Sequence, residues 1–336
     1  MQLKENFSLK NYNTFGIDVR ARYFAAVASV SALKEVLAEN RRPVYLLGGG
    51  SNILLTSDVV GLVIKNNISG KEVVQEDEGS VTVAIGAGEN WHQFVGWCLE
   101  RDYAGIENLS LIPGTVGAAP LQNIGAYGVE LKEVFEKLEA VELESGEVKT
   151  FTGKECQFGY RDSIFKRELK GKFCITKVFL RLSKIPRINL SYGALRKIFA
   201  EKGIQNPSIR EVSDAVIHIR RSKLPDPSEL GNAGSFFKNP EIEKAQFEPL
   251  QKRFPGIVYY PLPEEDRFKI PAGWLIEKAG WKGKRIGDAG CHAKQALVLV
   301  NYGEATGLEL KKLAAQISDS VEEMFGIRLD MEVNIW

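Results

Sequence analysis

This 336-residue chain is short of the residues that most often announce a chemistry. It has three histidines and four cysteines. Cys98, Cys156, Cys174 and Cys291 stand far apart with no Cys-x-x-Cys pair, which argues against a zinc site and against a disulfide framework. His92 follows Trp91, His218 lies between Ile217 and Ile219, and His292 follows Cys291. None has a second ligand at metal-binding spacing, so no metal is expected. A Cys291–His292 nucleophile is unsupported as well, because neighbours on a strand point apart. Charge of one sign is also missing: 44 Lys and Arg face 43 Asp and Glu. No net field draws nucleic acid or a membrane, and neither is expected as a partner. No apolar run approaches the roughly 20 residues of a membrane span. Met1 to Asn6 holds no apolar signal segment, and with isolated cysteines this points to a cytoplasmic protein. Repeats, low-complexity tracts and a Gly-x-Gly-x-x-Gly turn opening a helix are absent too.

Glycine, by contrast, is concentrated where it can act. Gly48-Gly49-Gly50-Ser51-Asn52 follows the apolar run Val44 to Leu47. A longer stretch runs through Ile112-Pro113-Gly114-Thr115-Val116-Gly117-Ala118-Ala119-Pro120 and Gln122-Asn123-Ile124-Gly125-Ala126-Tyr127-Gly128. Backbone without Cβ atoms lets N–H groups crowd an anion. Two such stretches suit a long ligand with a charged middle, such as a dinucleotide.

The hydrophobic pattern frames these stretches. A helix is expected over Ser31 to Asn40, capped by Ser31, then strands at Val44 to Leu47 and Gly61 to Lys65, together a β-α-β unit. Ser80 to Ile85 reads as a strand and Asn90 as the cap of a helix carrying Trp91, Phe94, Val95 and Leu99. Phe135 to Leu143 and Val148 to Phe151 read as a hairpin, and Phe173 to Leu182 as a further strand. Ser208-x-x-Glu211 is a capping box for a helix stopped by Pro225 and Pro227. Proline-rich chain from Pro225 to Pro271 marks entry into another domain, with one helix near Lys244 to Arg253. Helices over Ala272 to Ala279 and Leu308 to Phe325 and a strand over Ala296 to Asn301 follow. Leu329 to Ile335 alternates and reads as a closing strand, with Glu332 on the face opposite Met331 and Val333.

Several polar residues admit two readings. Arg161 in Tyr160-Arg161-Asp162-Ser163 is either an anion fork or a surface ion pair with Asp162 or a neighbour. Arg220-Arg221-Ser222-Lys223 either complements a helix dipole or holds a pyrophosphate. Ser235, in Gly234-Ser235-Phe236-Phe237-Lys238-Asn239-Pro240, is a loop residue between aromatic anchors or a proton donor. Glu332 is a solvated carboxylate or an acid in a cleft.

Taken in order, Asn13-Thr14-Phe15-Gly16, Gly48 to Asn52, Gly86-Ala87-Gly88, Pro113 to Gly128, Tyr160-Arg161-x-Ser163, Lys223-Leu224-Pro225, Gly234 to Pro240, Ala272 to Glu277, Gln295-Ala296-Leu297 and Glu332 resemble the UDP-N-acetylenolpyruvoylglucosamine reductase family. The resemblance implies an α+β chain with a vanillyl-alcohol-oxidase-like FAD-binding fold. Two α/β subdomains would hold FAD, residues 1–67 and residues 68–220 with 327–336; a third, α+β domain over 221–326 would bind substrate. It implies NADPH and UDP-N-acetylglucosamine enolpyruvate as partners. NADPH would reduce FAD, and the flavin would pass hydride to the vinyl carbon. Arg161 and Glu332 would then stabilise the developing charge, and Ser235 would protonate the neighbouring carbon. Gly48, Gly49, Gly50, Ser51, Asn52, Pro113, Gly114, Thr115, Gly117, Asn123, Gly125, Ala126 and Tyr127 would line the cofactor. Tyr160, Tyr192, Lys223, Asn239 and Gln295 would contact substrate, Tyr192 from a closing loop that only the longer branch of the family carries. Ala118-Ala119 departs from the family's more frequent glycine, which matters if those positions need positive φ. Two rivals remain at this point: an FAD oxidase or dehydrogenase of the same superfamily acting on an alcohol or hydroxy acid, and a nucleotide-binding regulatory module.

Overall fold

A computed structural model describes residues 3–40, 42–262 and 266–336. The expected loop-rich stretch from Pro225 to Pro271 is therefore described except at 263–265, which lie outside the described residues. Two compact units account for the chain: Met1–Phe7, Arg20–Gly50 and Val59–Ser222 form the first, and Ser8–Val19, Ser51–Asp58 and Lys223–Trp336 the second. The last ten residues thus pack by contact within the second unit.

The first unit holds two main sheets. One has four strands, in the spatial order Lys4–Ser8, Arg20–Val27, Val59–Asn66, Val44–Leu47. Arg20–Val27 and Val44–Leu47 both run parallel to Val59–Asn66. Helix Val30–Glu39 makes the crossover, burying Leu33, Val36 and Leu37. Its cap is Ser29, whose hydroxyl accepts the Ala32 N–H; the expected cap Ser31 sits inside the first turn. The helix starts at Val30, one residue before the expected Ser31, because Ser29, not Ser31, has extended backbone.

The other sheet has five strands, in the order Val148–Thr152, Phe135–Glu142, Phe173–Ser183, Ser80–Gly86, Lys71–Glu76, and is antiparallel throughout. Its core takes in Val83, Ile85, Leu138, Val178 and Leu180 together with Trp91, Phe94, Val95 and Cys98 of helix Trp91–Leu99. Asn90 caps that helix by accepting the Gln93 N–H. Helices Gly193–Glu201 and Ile209–Lys223 form a small separate cluster around Leu195, Phe199, Val212 and Val216. The capping box closes as expected, with Glu211 N–H on Ser208 and Ser208 N–H on Glu211.

In the second unit, strands Gly231–Ser235, Val298–Asn301, Ala289–Cys291 and Arg285–Ile286 form a sheet in that order. Helix Gly307–Phe325 buries Leu310, Leu313, Ala314, Ile317 and Val321 as its period predicts. Each such leucine or isoleucine contributes about 1.5–3 kcal/mol by leaving water. A Thr306–Glu309 capping box opens the helix and left-handed Gly326 closes it. Loop 9–17 is stapled by Asn13, whose amide donates to Leu9 and Ile17 carbonyls and accepts the Ile17 N–H.

The closing strand is a correction. Only Asn334–Ile335 forms a ladder, parallel to Ile53–Leu54. Upstream, Lys238 N–H donates to Asp330 and Glu332 N–H donates to Phe236. The segment stays extended but changes partner midway, so no single seven-residue strand forms.

Candidate active site

In the first unit the glycine stretches pack on each other. A Cβ on Gly49 would lie 2.7 Å from the Gly114 Cα, and one on Gly48 2.8 Å from the Thr115 hydroxyl oxygen. One on Gly117 would strike Ala87 of the third glycine loop, 86–88. These glycines are therefore required by close packing, Gly49 against backbone and Gly48 and Gly117 first against side chains, whatever they hold. Residues 114–116 are fixed by Trp91 N–H on Gly114 and Val116 N–H on Glu89. This makes Asn90 and Thr115 a non-hydrogen-bonded pair and turns the Thr115 amide outward. Among the described residues, the N–H groups of Gly114 and Thr115 have no acceptor. Adjacent amides of this kind suit an anionic oxygen, so the loop fits a cofactor phosphate.

Beyond Thr115 the chain forms a 3-10 helix, Val116–Gln122, in which Ala118 and Ala119 take ordinary negative φ. The concern about a strained alanine there disappears. Asn123 is left-handed and fully buried. Its amide donates to Glu130 and the Gly159 carbonyl and accepts the Lys132 N–H, so the side chain is committed to the protein. Pro113 is exposed, and Gly125–Ala126 pairs with Val129–Glu130 across the Tyr127-Gly128 turn.

Arg161 sits at φ 52° in a tight turn from Gly159 to Asp162. A bulky residue in this region is uncommon and marks a constrained site. Its guanidinium donates to the Gly125 carbonyl at 2.6 Å. Asp162 pairs with Arg167 instead, so the ion-pair reading for Arg161–Asp162 fails. Tyr160 lies beside the same guanidinium, 5.4 Å from ring centre to carbon. Ser163 is structural: it donates to the Leu121 carbonyl and caps the turn 164–166.

Tyr192 precedes helix Gly193–Glu201, is 41% exposed and meets Tyr127 edge-on with centroids 4.9 Å apart. Its loop is pinned by Asn189, whose amide donates to the Gly128 carbonyl at 3.0 Å. Arg220 lies close to the Tyr127 hydroxyl. Burial raises the Tyr127 pKa and lowers that of Arg220, which also feels Arg161 as a like charge. The structure therefore collects Tyr160, Arg161, Gly125, Tyr127, Tyr192 and Arg220 in one place.

Lys65 had no forewarning in the sequence beyond a cation ending an apolar strand. Its ammonium donates to the Gly48 carbonyl at 2.5 Å, and burial lowers its pKa.

In the second unit Ser235 ends strand Gly231–Ser235 after a register break between Asn232 and Ser235. Gly234 at φ 69° makes the bulge, and the Asn232 side chain accepts its N–H. Such bulges re-aim a side chain. Phe236 and Phe237 behind it are fully buried. The Phe236 N–H donates to Leu297 and its carbonyl accepts from Glu332 N–H at 2.8 Å. Ser235 and Glu332 are thus carried by adjoining backbones. Ser51 and Asn52 also belong to this unit, and the Asn52 amide donates to the Glu332 carbonyl at 3.4 Å.

Lys223 ends its helix exposed to solvent. Asn239 accepts the Ala272 N–H at the start of helix Ala272–Lys278. The Gln295 side-chain oxygen accepts the Leu297 N–H and lies 3.1 Å from where a Gly273 Cβ would stand. Asn239 and Gln295 therefore converge on one helix start.

The four cysteines are buried, and burial pushes Cys156 and Cys174 up to about 12 and Cys291 to about 11. Thiols of this kind are inert at neutral pH. Among the described residues no helix is long and apolar enough to cross a membrane, and no cluster of three or more His, Cys, Asp or Glu could hold a metal.

Comparison with known proteins agrees with the glycine loops and the Ser235 strand. Residues 21–152 match an FAD binding domain, and residues 226–336 the C-terminal domain of UDP-N-acetylenolpyruvoylglucosamine reductase. The chain is 53% identical to the reductase of that name from Flavobacterium johnsoniae, covering all of both chains. It is 51% identical to that of Pseudomonas aeruginosa, covering all of this chain and 99% of the relative. The crystal structure of the Thermus caldophilus reductase superimposes with a TM-score of 0.68 at 25% identity, covering 100% of this chain and 99% of that one. By this agreement the chain belongs to the UDP-N-acetylenolpyruvoylglucosamine reductase family.

Proposed function

We propose that Ser235, Glu332 and Arg161 carry the chemistry of this protein. The chain is an FAD-dependent oxidoreductase that reduces the enolpyruvyl ether of UDP-N-acetylglucosamine to UDP-N-acetylmuramate with NADPH, in peptidoglycan precursor synthesis. Bound FAD supplies hydride to the vinyl carbon, which leaves negative charge on the adjacent carbon and its carboxylate. Ser235 delivers a proton to that carbon. A serine is a weak acid in water, but the acceptor here is strongly basic. Arg161 offsets the developing charge as a guanidinium, and Glu332 does so by hydrogen bonding. The observation that carries this reading is the bulge at Ala233-Gly234, after which Ser235 re-enters the ladder opposite Val298, one residue before the backbone bond that joins Phe236 to Glu332.

The cofactor is held by Gly48, Gly49, Gly50, Ser51, Asn52, Pro113, Gly114, Thr115, Gly117 and the 123–127 segment. The outward amides of Gly114 and Thr115 support phosphate binding there. Tyr160, Tyr192, Lys223, Asn239 and Gln295 bind substrate. The exposed Tyr192, propped on Tyr127, suits a residue that closes over a ligand. The vanillyl-alcohol-oxidase-like arrangement, with FAD subdomains 1–67 and 68–220 plus 327–336 and a substrate domain over 221–326, belongs to this proposal, as does a cytoplasmic location.

The test is anaerobic. NADPH should bleach the yellow holoenzyme, and UDP-N-acetylglucosamine enolpyruvate should restore its colour. A colourless protein, or bleaching that this sugar nucleotide cannot reverse, would contradict the reading.

A further inference from the structure

Leu111 is a second bulky residue with positive φ, at 58°. It directly precedes Ile112-Pro113-Gly114-Thr115, so its conformation sets the direction in which the chain enters the phosphate-type loop. The residue before a proline is held extended, which leaves Leu111 as the point where the chain turns. Both polar groups of Leu111 are held by side chains. His92 Nδ1 accepts its N–H at 3.1 Å, and Arg220 Nε donates to its carbonyl at 3.2 Å. The two clamping residues come from helices Trp91–Leu99 and Ile209–Lys223. Trp91 braces the loop on either side: its indole donates to the Leu109 carbonyl at 2.9 Å and its backbone N–H to Gly114. Below, the buried hydroxyls of Ser110 and Ser213 are 2.7 Å apart. Leu111 is thus fixed while the amides of Gly114 and Thr115 are presented outward.

We infer that His92, with Arg220, is a positioning residue for FAD: it holds Leu111 in its left-handed conformation and thereby sets the Gly114–Thr115 amides that receive the cofactor. This rests on the FAD-binding reading of the loop. The clamp needs imidazole neutral, with its proton on Nε2, because a protonated ring has no acceptor at Nδ1. Burial first, and then Arg221 and Arg220, lower the His92 pKa and favour that form.

The test measures the FAD dissociation constant of the full chain by flavin fluorescence on dilution of the holoenzyme. His92→Leu removes the acceptor and should weaken FAD binding about tenfold or more, the effect of leaving a part-buried donor unpaired. His92→Asn puts an oxygen near the Nδ1 position and should bind FAD close to the parent. Leu111→Gly, which removes the conformational cost, should restore most of the binding lost in His92→Leu. A leucine variant that binds like the parent would overturn the inference. An asparagine variant as weak as the leucine variant would do so too, since packing alone would then be the cause. If His92→Leu does not fold, the double variant decides: recovered FAD binding supports the clamp, and its absence overturns it. A parent chain that takes up no FAD would instead remove the cofactor reading, and the inference with it.

Discussion

The glycine loops of the first unit and the Ser235 strand of the second are built on opposite principles. The loops offer backbone. Gly48, Gly49 and Gly117 have no room for a Cβ, and the groups offered to a ligand are peptide amides. The Ser235 strand offers side chains. Phe236 and Phe237 anchor it in the core, and a bulge directly precedes Ser235. A change in the loops therefore acts through shape on folding and cofactor retention. On the roles proposed for them, a change at Ser235 or Glu332 acts through chemistry and should leave both intact.

Four changes test that contrast, in descending order of effect. Glu332→Gln keeps the shape and both backbone bonds of Glu332, so flavin content should be unchanged while turnover falls by about 10²-fold or more. Steady-state rates with flavin-normalised enzyme check it, and a drop in flavin content would blur the contrast. Gly49→Ala sets a methyl against the Gly114 backbone, and overpacking of this sort costs about 1–3 kcal/mol. Urea unfolding and flavin retention should both suffer, whereas a parent-like variant would show that the loops are slack. Thr306→Ala breaks the capping box of helix Gly307–Phe325 and should cost about 1 kcal/mol in the same unfolding assay without changing flavin content. The smallest effect is with pH. His92 binds its proton more weakly folded than unfolded, because burial first, and then Arg221 and Arg220, oppose it. Its share of stability is whole above the unfolded value of about 6.5 and is lost as pH falls through the lower folded value. Melting temperatures from pH 8 to pH 5 should fall less steeply for His92→Asn than for the parent.

The sequence read best where a strong period coincided with a local cap. Helix Gly307–Phe325 lies where its leucines and Gly326 predict, and the hairpin Phe135–Glu142 with Val148–Thr152 was equally plain. Lys71–Glu76 escaped notice because an exposed edge strand has no apolar alternation. Gly231–Ser235 escaped because no β-former marks it and its pairing depends on Val298–Asn301. Leu329 to Ile335 misled for a related reason. Its alternation is real, but the partner changes from 236–238 to 52–54, and pairing is a tertiary property. The candidate site residues came from the joint order of short motifs. Their physical roles were not legible: Asn123 and Ser163 spend their side chains on the protein, and Arg161 finds a carbonyl where an ion pair with Asp162 was the simpler guess.

The most direct measurement follows the two half-reactions of Ser235→Ala separately in a stopped-flow instrument. If the hydroxyl on the bulge is the proton donor, flavin reduction by NADPH keeps its rate while reoxidation by the sugar nucleotide slows by about 10²-fold or more. Equal slowing of both, or reoxidation at the parental rate, would contradict that role.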